Sequence, residues 1–120
     1  MTNQEEENKE LLRLLADKKN KTVIKKITSS KDYKKNPFKL AVLAQAYESM
    51  NDLFKAIQTY NDSLKLYENP EIRLLLIDAL LRSQNIIKAK NELQKLNPHQ
   101  LEKTTSLINF AKLHATVGNN

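Results

Sequence analysis

Residues 36–70 read NPFKLAVLAQAYESMNDLFKAIQTYNDSLKLYENP, and this segment contains two runs of apolar residues with helical spacing. Within each run the apolar side chains recur every three or four residues, which is the period of one helix face. Pro37 suits a first helical position, because that position needs no backbone N–H donor. A short polar break at residues 49–52 separates the runs, so the segment predicts two antiparallel helices. The apolar positions are Leu40, Ala41, Leu43, Ala44 and Tyr47, then Leu53, Ala56, Ile57, Tyr60, Leu64 and Tyr67.

The same register recurs before and after this segment at a spacing of 33 residues. The interval from Pro70 to Pro98 is shorter, 28 residues, which trims the second helix of the last pair. The sequence therefore predicts an all-α fold in a single domain, 1–120. Its helix pairs are expected at about 5–30, 37–68 and 70–97, with a C-terminal capping helix at about 98–117. The aligned positions are Leu14, Tyr47 and Leu80; Val23, Ala56 and Ala89; and Ile27, Tyr60 and Leu93.

The unit resembles a tetratricopeptide repeat (TPR), a helix–turn–helix repeat of about 34 residues. The resemblance covers residues 5–98 and implies antiparallel helix pairs stacked as a short right-handed α-solenoid, whose concave groove binds a protein segment. The third copy departs from the pattern at Ile77, where the family has a small residue, and the first copy keeps only the apolar positions. An ordinary helical bundle whose periods agree is the alternative. The matching residues are Pro37, Leu40, Leu43, Ala44 and Tyr47, the turn residues 51–53, and Ala56, Tyr60 and Ser63.

The composition excludes several classes of site. The chain has no cysteine, which excludes disulfides and thiolate metal sites, and its single glycine, Gly118, excludes a glycine-rich phosphate loop. His99 and His114 are the two histidines, and no nucleophile motif surrounds them. We therefore expect a protein that is not an enzyme and that holds no cofactor or metal. The acidic start, MTNQEEENKE, does not resemble a targeting segment, which favours a cytoplasmic location.

A first candidate site is the inner face that the TPR resemblance assigns to the first helix of each pair. We expect this face to be exposed and apolar near its centre, so that it accepts a partner helix or an extended segment. The alternative is that the last helix or a second copy of the chain covers these residues. The predicted groove residues are Asn8, Leu12, Leu15, Phe38, Ala41, Val42, Gln45, Glu71, Leu74, Leu75 and Asp78.

A second candidate site is a cluster of lysines. Residues 17–39 hold nine lysines and two aspartates, a net charge of +7, so the rest of this +6 chain has a net charge of −1. Such a patch attracts an acidic protein, RNA or an anionic membrane surface. It has no arginine for bidentate phosphate recognition and few aromatic residues for base stacking, so a solvated lysine-rich face is the alternative. The predicted patch residues are Lys18, Lys19, Lys21, Lys25, Lys26, Lys34 and Lys35.

These observations favour a non-enzymatic adaptor or chaperone-like module that binds a partner protein segment in an apolar groove. One alternative is a lysine-rich surface module for RNA or an anionic membrane. Another is a self-associating structural subunit, such as a homodimer. Salt separates the first two hypotheses, because a complex held by lysines weakens steeply with salt and an apolar complex does not.

Overall fold

The computed structural model describes residues 3–96, which contain six α-helices, one 3₁₀ segment at Tyr33–Lys35 and no strand. The prediction of an all-α fold is confirmed for these residues. The predicted capping helix, 98–117, lies outside the described residues, as do His99 and His114. The helices are α1 Asn3–Ala16, α2 Asn20–Thr28, α3 Pro37–Ser49, α4 Leu53–Leu66, α5 Pro70–Arg82 and α6 Ile86–Leu93.

The described residues divide into two compact units. The first unit ends at Tyr67 and contains α1 to α4, and the second unit begins at Glu68 and contains α5 and α6. Helices α1 and α2 span residues 3–28, α3 and α4 span 37–66, and α5 and α6 span 70–93, beside predicted pairs at about 5–30, 37–68 and 70–97. The single domain and the right-handed solenoid stay predictions.

The two helices of each pair are joined by a turn, and this turn has the same backbone geometry in all three pairs. One residue in each turn has a positive φ: Lys18 at 60°, Asn51 at 63° and Gln84 at 65°. The N–H of Asn51 donates to the carbonyl of Glu48, and the N–H of Asp52 donates to the carbonyl of Tyr47. The turns at Lys18 and Gln84 repeat both bonds, with N···O distances of 2.8 to 3.0 Å. This pair of bonds around a left-handed residue is the Schellman motif, so the 33-residue spacing of the sequence recurs in backbone geometry.

Asparagine side chains fix the starts of the two helices that begin with proline. Asn36 Oδ1 accepts a hydrogen bond from the N–H of Lys39 at 3.1 Å at the start of α3. Asn69 Oδ1 accepts from the N–H of Glu71 at 2.9 Å at the start of α5. Each bond satisfies a backbone donor that has no partner inside its helix. Both Asn-Pro pairs therefore act as helix starts, as the sequence predicts for Pro37.

The core of the first unit forms where α1 and α2 pack on α3. Helix α4 packs on α3 through Ala56 and Tyr60, which are fully buried. The hydroxyl of Tyr60 donates to Glu48 Oε1 at 2.8 Å near one end of α3, and the hydroxyl of Ser63 donates to the carbonyl of Pro37 at 2.8 Å at the other end. These two bonds fix the register of α4 against α3. The core cluster consists of Leu11, Leu14, Val23, Ile27, Val42, Leu43 and Ala46.

The second unit is held by the packing of α5 on α6 and by a buried ion-pair network. The guanidinium of Arg73 is almost fully buried, and it donates to Glu92 Oε2 at 2.9 Å and to Glu68 Oε2 at 2.8 Å. Lys95 also pairs with Glu92, at 2.9 Å. Arg73 therefore connects α5 both to the segment before it and to α6.

Candidate functional site

The predicted groove is closed at its centre in the first unit. Ala41 and Val42 were expected to be exposed, but they are only 3% and 2% exposed, so this expectation is wrong. The reason is tertiary: α1 packs against α3, and Val42 belongs to the core cluster. Leu15 and Phe38 are half-buried because they pack against the same cluster. Val42, Leu15 and Phe38 therefore serve the core of the first unit, and Ala41 is buried on the same helix.

The outer part of the predicted groove in the first unit stays accessible. The side chain of Leu12 is 46% exposed. Asn8 lies one helical turn before Leu12 on the same face of α1 and is half-buried, as is Gln45 on α3. Asn8 Oδ1 accepts a hydrogen bond from Gln4 Nε2 at 3.0 Å. On this face of α1, the groove residues that stay accessible are therefore Leu12 and the side-chain amide of Asn8.

The second unit shows a similar outcome. Leu74 was expected to be exposed, but it is only 7% exposed, so this expectation is wrong. It is one of a run of buried residues along α5 that also includes Leu76 and Ile77. Leu75 is half-buried, and Glu71 and Asp78 are exposed. These last three residues lie three or four positions apart, on one face of α5. Their role in binding stays a prediction.

The predicted lysine patch is exposed in full and lies within the first unit. Its residues are in the α1–α2 turn, along α2 and in the 3₁₀ segment that follows α2. Lys31, which was not among the seven, is exposed as well. In the part of the chain that the structure describes, none of these lysines has an ion-pair partner within 4.0 Å. We call the seven predicted residues, Lys18, Lys19, Lys21, Lys25, Lys26, Lys34 and Lys35, the lysine surface.

Lys39 has a different role from its neighbours in the sequence. Its side chain is buried, and Nζ lies 2.8 Å from Glu7 Oε1 and donates to Ser30 Oγ at 3.0 Å. These contacts connect the first turn of α3 to α1 and to the end of α2. Lys39 is thus a structural residue, and eight of the nine lysines in residues 17–39 remain at the surface.

An acidic side chain near the lysine surface responds to it only weakly. Arg13 Nη2 donates to Glu10 Oε2 at 2.6 Å, and this hydrogen bond lowers the pKa of Glu10. The positive charge of Lys26 lowers the pKa of Glu10 further, as a smaller effect. The ion pair of Glu10 is with Arg13, at 2.6 Å, and not with a lysine of the patch.

Two exposed apolar residues were missed by the sequence reasoning. Phe54 on α4 is 76% exposed and Ile87 on α6 is 75% exposed. They occupy the same place in the 33-residue register, directly after the first residue of the second helix in each pair. The 33-residue register could have revealed their exposure. The corresponding residue of the first pair is Lys21, which is also exposed.

The described residues hold neither a metal-binding cluster nor a membrane-spanning helix. Between residues 3 and 96, no group of three or more His, Cys, Asp or Glu side chains is placed to hold a metal ion. No helix in this range has both the length and the apolar character needed to cross a membrane. Comparisons of the chain with protein-family models, with curated proteins and with solved structures found no match.

Proposed function

We propose that this chain is a non-enzymatic helical-repeat module, similar to a TPR protein, that binds a partner protein as an adaptor or chaperone in the cytoplasm. The observation that supports the proposal is the recurrence of one turn at 33-residue spacing, at Lys18, Asn51 and Gln84. Repeated helix pairs build extended surfaces whose common use is the binding of protein segments.

The remaining groove residues suggest where an apolar partner segment would bind. In the first unit these are Leu12 and Asn8, and in the second unit Leu75 and Asp78. Each pair sets an accessible leucine beside a polar side chain on one helix face. The leucine would supply affinity by removing apolar surface from water, and the polar group would orient the partner.

The test compares proteins captured from a cell extract by the full-length chain and by its variants. Leu12→Asp places a charge on the exposed face and should leave the helical circular dichroism unchanged while removing the captured partner. Gln58→Asp, at an exposed position of α4, is the matched control and should retain it. If Leu12→Asp and Leu75→Asp both capture the same proteins as Gln58→Asp, the hypothesis that a partner binds at the groove residues is wrong.

The lysine surface supports a second candidate function, the binding of RNA or an anionic membrane. The specific observation is that all seven lysines are exposed and have no ion-pair partner in the described residues. Self-association is the third candidate. Light scattering at low and high salt separates the three, because a homodimer has twice the molar mass and a complex held by lysines dissociates in salt.

A further inference from the structure

We propose that the lysine surface is the docking site for an acidic protein segment, rich in Asp and Glu. This proposal rests on the proposed function, in that the partner is a protein. It adds a second contact outside the groove: an acidic segment of that partner binds the surface of α2 and its preceding turn. Three observations carry it: the backbone conformation at Lys18, the uncapped start of α2 and the missing counter-charges.

Lys18 occupies a backbone position that disfavours lysine. Its φ of 60° lies in the left-handed region, where a side chain with a Cβ is strained and glycine is preferred. The equivalent position in the second pair holds Asn51, and asparagine tolerates this conformation better than most residues. The third pair has Gln84 at this position, so this turn accepts a long side chain, and what distinguishes Lys18 is its positive charge.

Lys19 is also unfavourable for the local structure. It is the N-cap residue of α2, and it makes no side-chain capping bond. Asp52, at the equivalent position, caps α4 by accepting a hydrogen bond from the N–H of Lys55 at 3.2 Å. Helix α6 is also uncapped, and neither α4 nor α6 has an acidic residue in its first turn, but at the start of α2 three lysines, Lys18, Lys19 and Lys21, place positive charge at the positive end of the helix dipole.

None of the seven lysines of this surface has an ion-pair partner within 4.0 Å among residues 3–96. Other lysines of the chain do find partners: Lys39 pairs with Glu7, and Lys95 pairs with Glu92. Several local preferences are thus violated at one place, which is expected where function rather than stability selects the residues. An acidic partner would supply the missing counter-charges and the missing acceptors near the start of α2.

The chemistry of the surface favours an acidic protein over nucleic acid or membrane. Tyr33 is half-buried because it packs against the core cluster, so it offers no stacking platform for bases. The exposed face of α2 consists of lysines and threonines, with no large apolar side chain to enter a bilayer. Lys21 and Lys25 lie one helical turn apart, and their flexible ammonium groups accept carboxylates without the fixed geometry that arginine requires.

The test uses a fluorescently labelled oligo-glutamate peptide and the full-length chain, with binding measured by anisotropy at low and at physiological ionic strength. The first variant is Lys18→Gly/Lys19→Asp. Its matched control is Lys65→Gln/Lys88→Asp, which lowers the net charge by the same amount at exposed positions of α4 and α6. We expect the dissociation constant of the first variant to rise about tenfold and that of the control to change much less.

Thermal unfolding of the same two variants separates docking from a structural role. We expect the melting temperature of Lys18→Gly/Lys19→Asp to rise, because glycine relieves the left-handed position and aspartate caps α2. A variant that is more stable and binds the peptide less tightly supports the proposal. Lys21→Gln/Lys25→Gln, compared with Lys65→Gln/Lys88→Gln, provides a second test that leaves the turn unchanged, and it should weaken peptide binding as well.

Two results would overturn the proposal. If each variant and its matched control lose affinity equally, binding follows net charge and no docking surface exists. If a duplex RNA of equal charge binds more tightly than the peptide, and this binding is lost in Lys18→Gly/Lys19→Asp, the surface serves nucleic acid. If the peptide test fails while Leu12→Asp still loses a captured protein, the proposed function stands and only this inference falls.

Discussion

The repeated turn leads to a prediction about glycine. Lys18, Asn51 and Gln84 have the same left-handed backbone conformation, with φ between 60° and 65°. Replacing each by glycine removes the clash of its Cβ with the following carbonyl, which costs about 1–2 kcal/mol for a typical residue. Glycine also increases the entropy of the unfolded chain, which offsets about 0.4–1 kcal/mol of this gain.

The net effect should therefore differ among the three turns. We expect Lys18→Gly and Gln84→Gly each to raise the free energy of unfolding by about 0.5–1 kcal/mol. Asn51→Gly should change it by only a few tenths, because asparagine already tolerates the left-handed region. Gln58→Gly is the control: this exposed position lies inside α4, where glycine should lower the free energy of unfolding by about 0.5–1 kcal/mol.

Urea denaturation followed by circular dichroism measures these changes directly, because the midpoint shifts while the slope stays constant. In a melting experiment a gain of this size corresponds to roughly 2–6 °C. If Lys18→Gly lowers stability as much as Gln58→Gly does, the left-handed turn at Lys18 is not present in solution. The argument that local structure disfavours lysine there would then fail as well.

Three further predictions concern packing and charge. Ala56→Phe should lower the free energy of unfolding by about 1–3 kcal/mol, since Ala56 is fully buried where α4 packs on α3. An unchanged melting curve for this variant would contradict the 33-residue register. Arg73→Ala should lower the free energy of unfolding by about 2 kcal/mol, because it removes the buried guanidinium that joins α5 to Glu92 on α6, whereas Lys90→Ala, at an exposed site on α6, should change it by less than about 0.5 kcal/mol. The pKa of Glu10 is lowered in the folded state by its hydrogen bond from Arg13, so its contribution to stability is present above the unfolded pKa and lost as the pH falls through the folded pKa. An NMR titration should show the pKa of Glu10 returning to its ordinary range in Arg13→Gln, and an unchanged value would argue against the hydrogen bond.

The all-α fold could be predicted from the sequence because helical periodicity depends on near neighbours in the chain. Pro37 and Pro70 mark helix starts through the missing N–H of proline, and Asn36 and Asn69 cap those helices with side chains that reach only two or three residues ahead. The exposure of the lysine surface follows in the same way, since so many charges within one short segment cannot all be buried.

The open or closed state of the predicted groove depended on residues far apart in the sequence. Val42 looks like a groove residue in a repeat alignment, but it is buried because α1 packs against α3. Lys39 looks like one more surface lysine, but it is buried because Glu7, more than thirty positions earlier, pairs with its ammonium group. Helical periodicity shows which residues share a face, and that much the sequence determined by itself. Which element covers that face was decided only by the tertiary structure, because burial depends on the packing of whole helices and not on the local pattern.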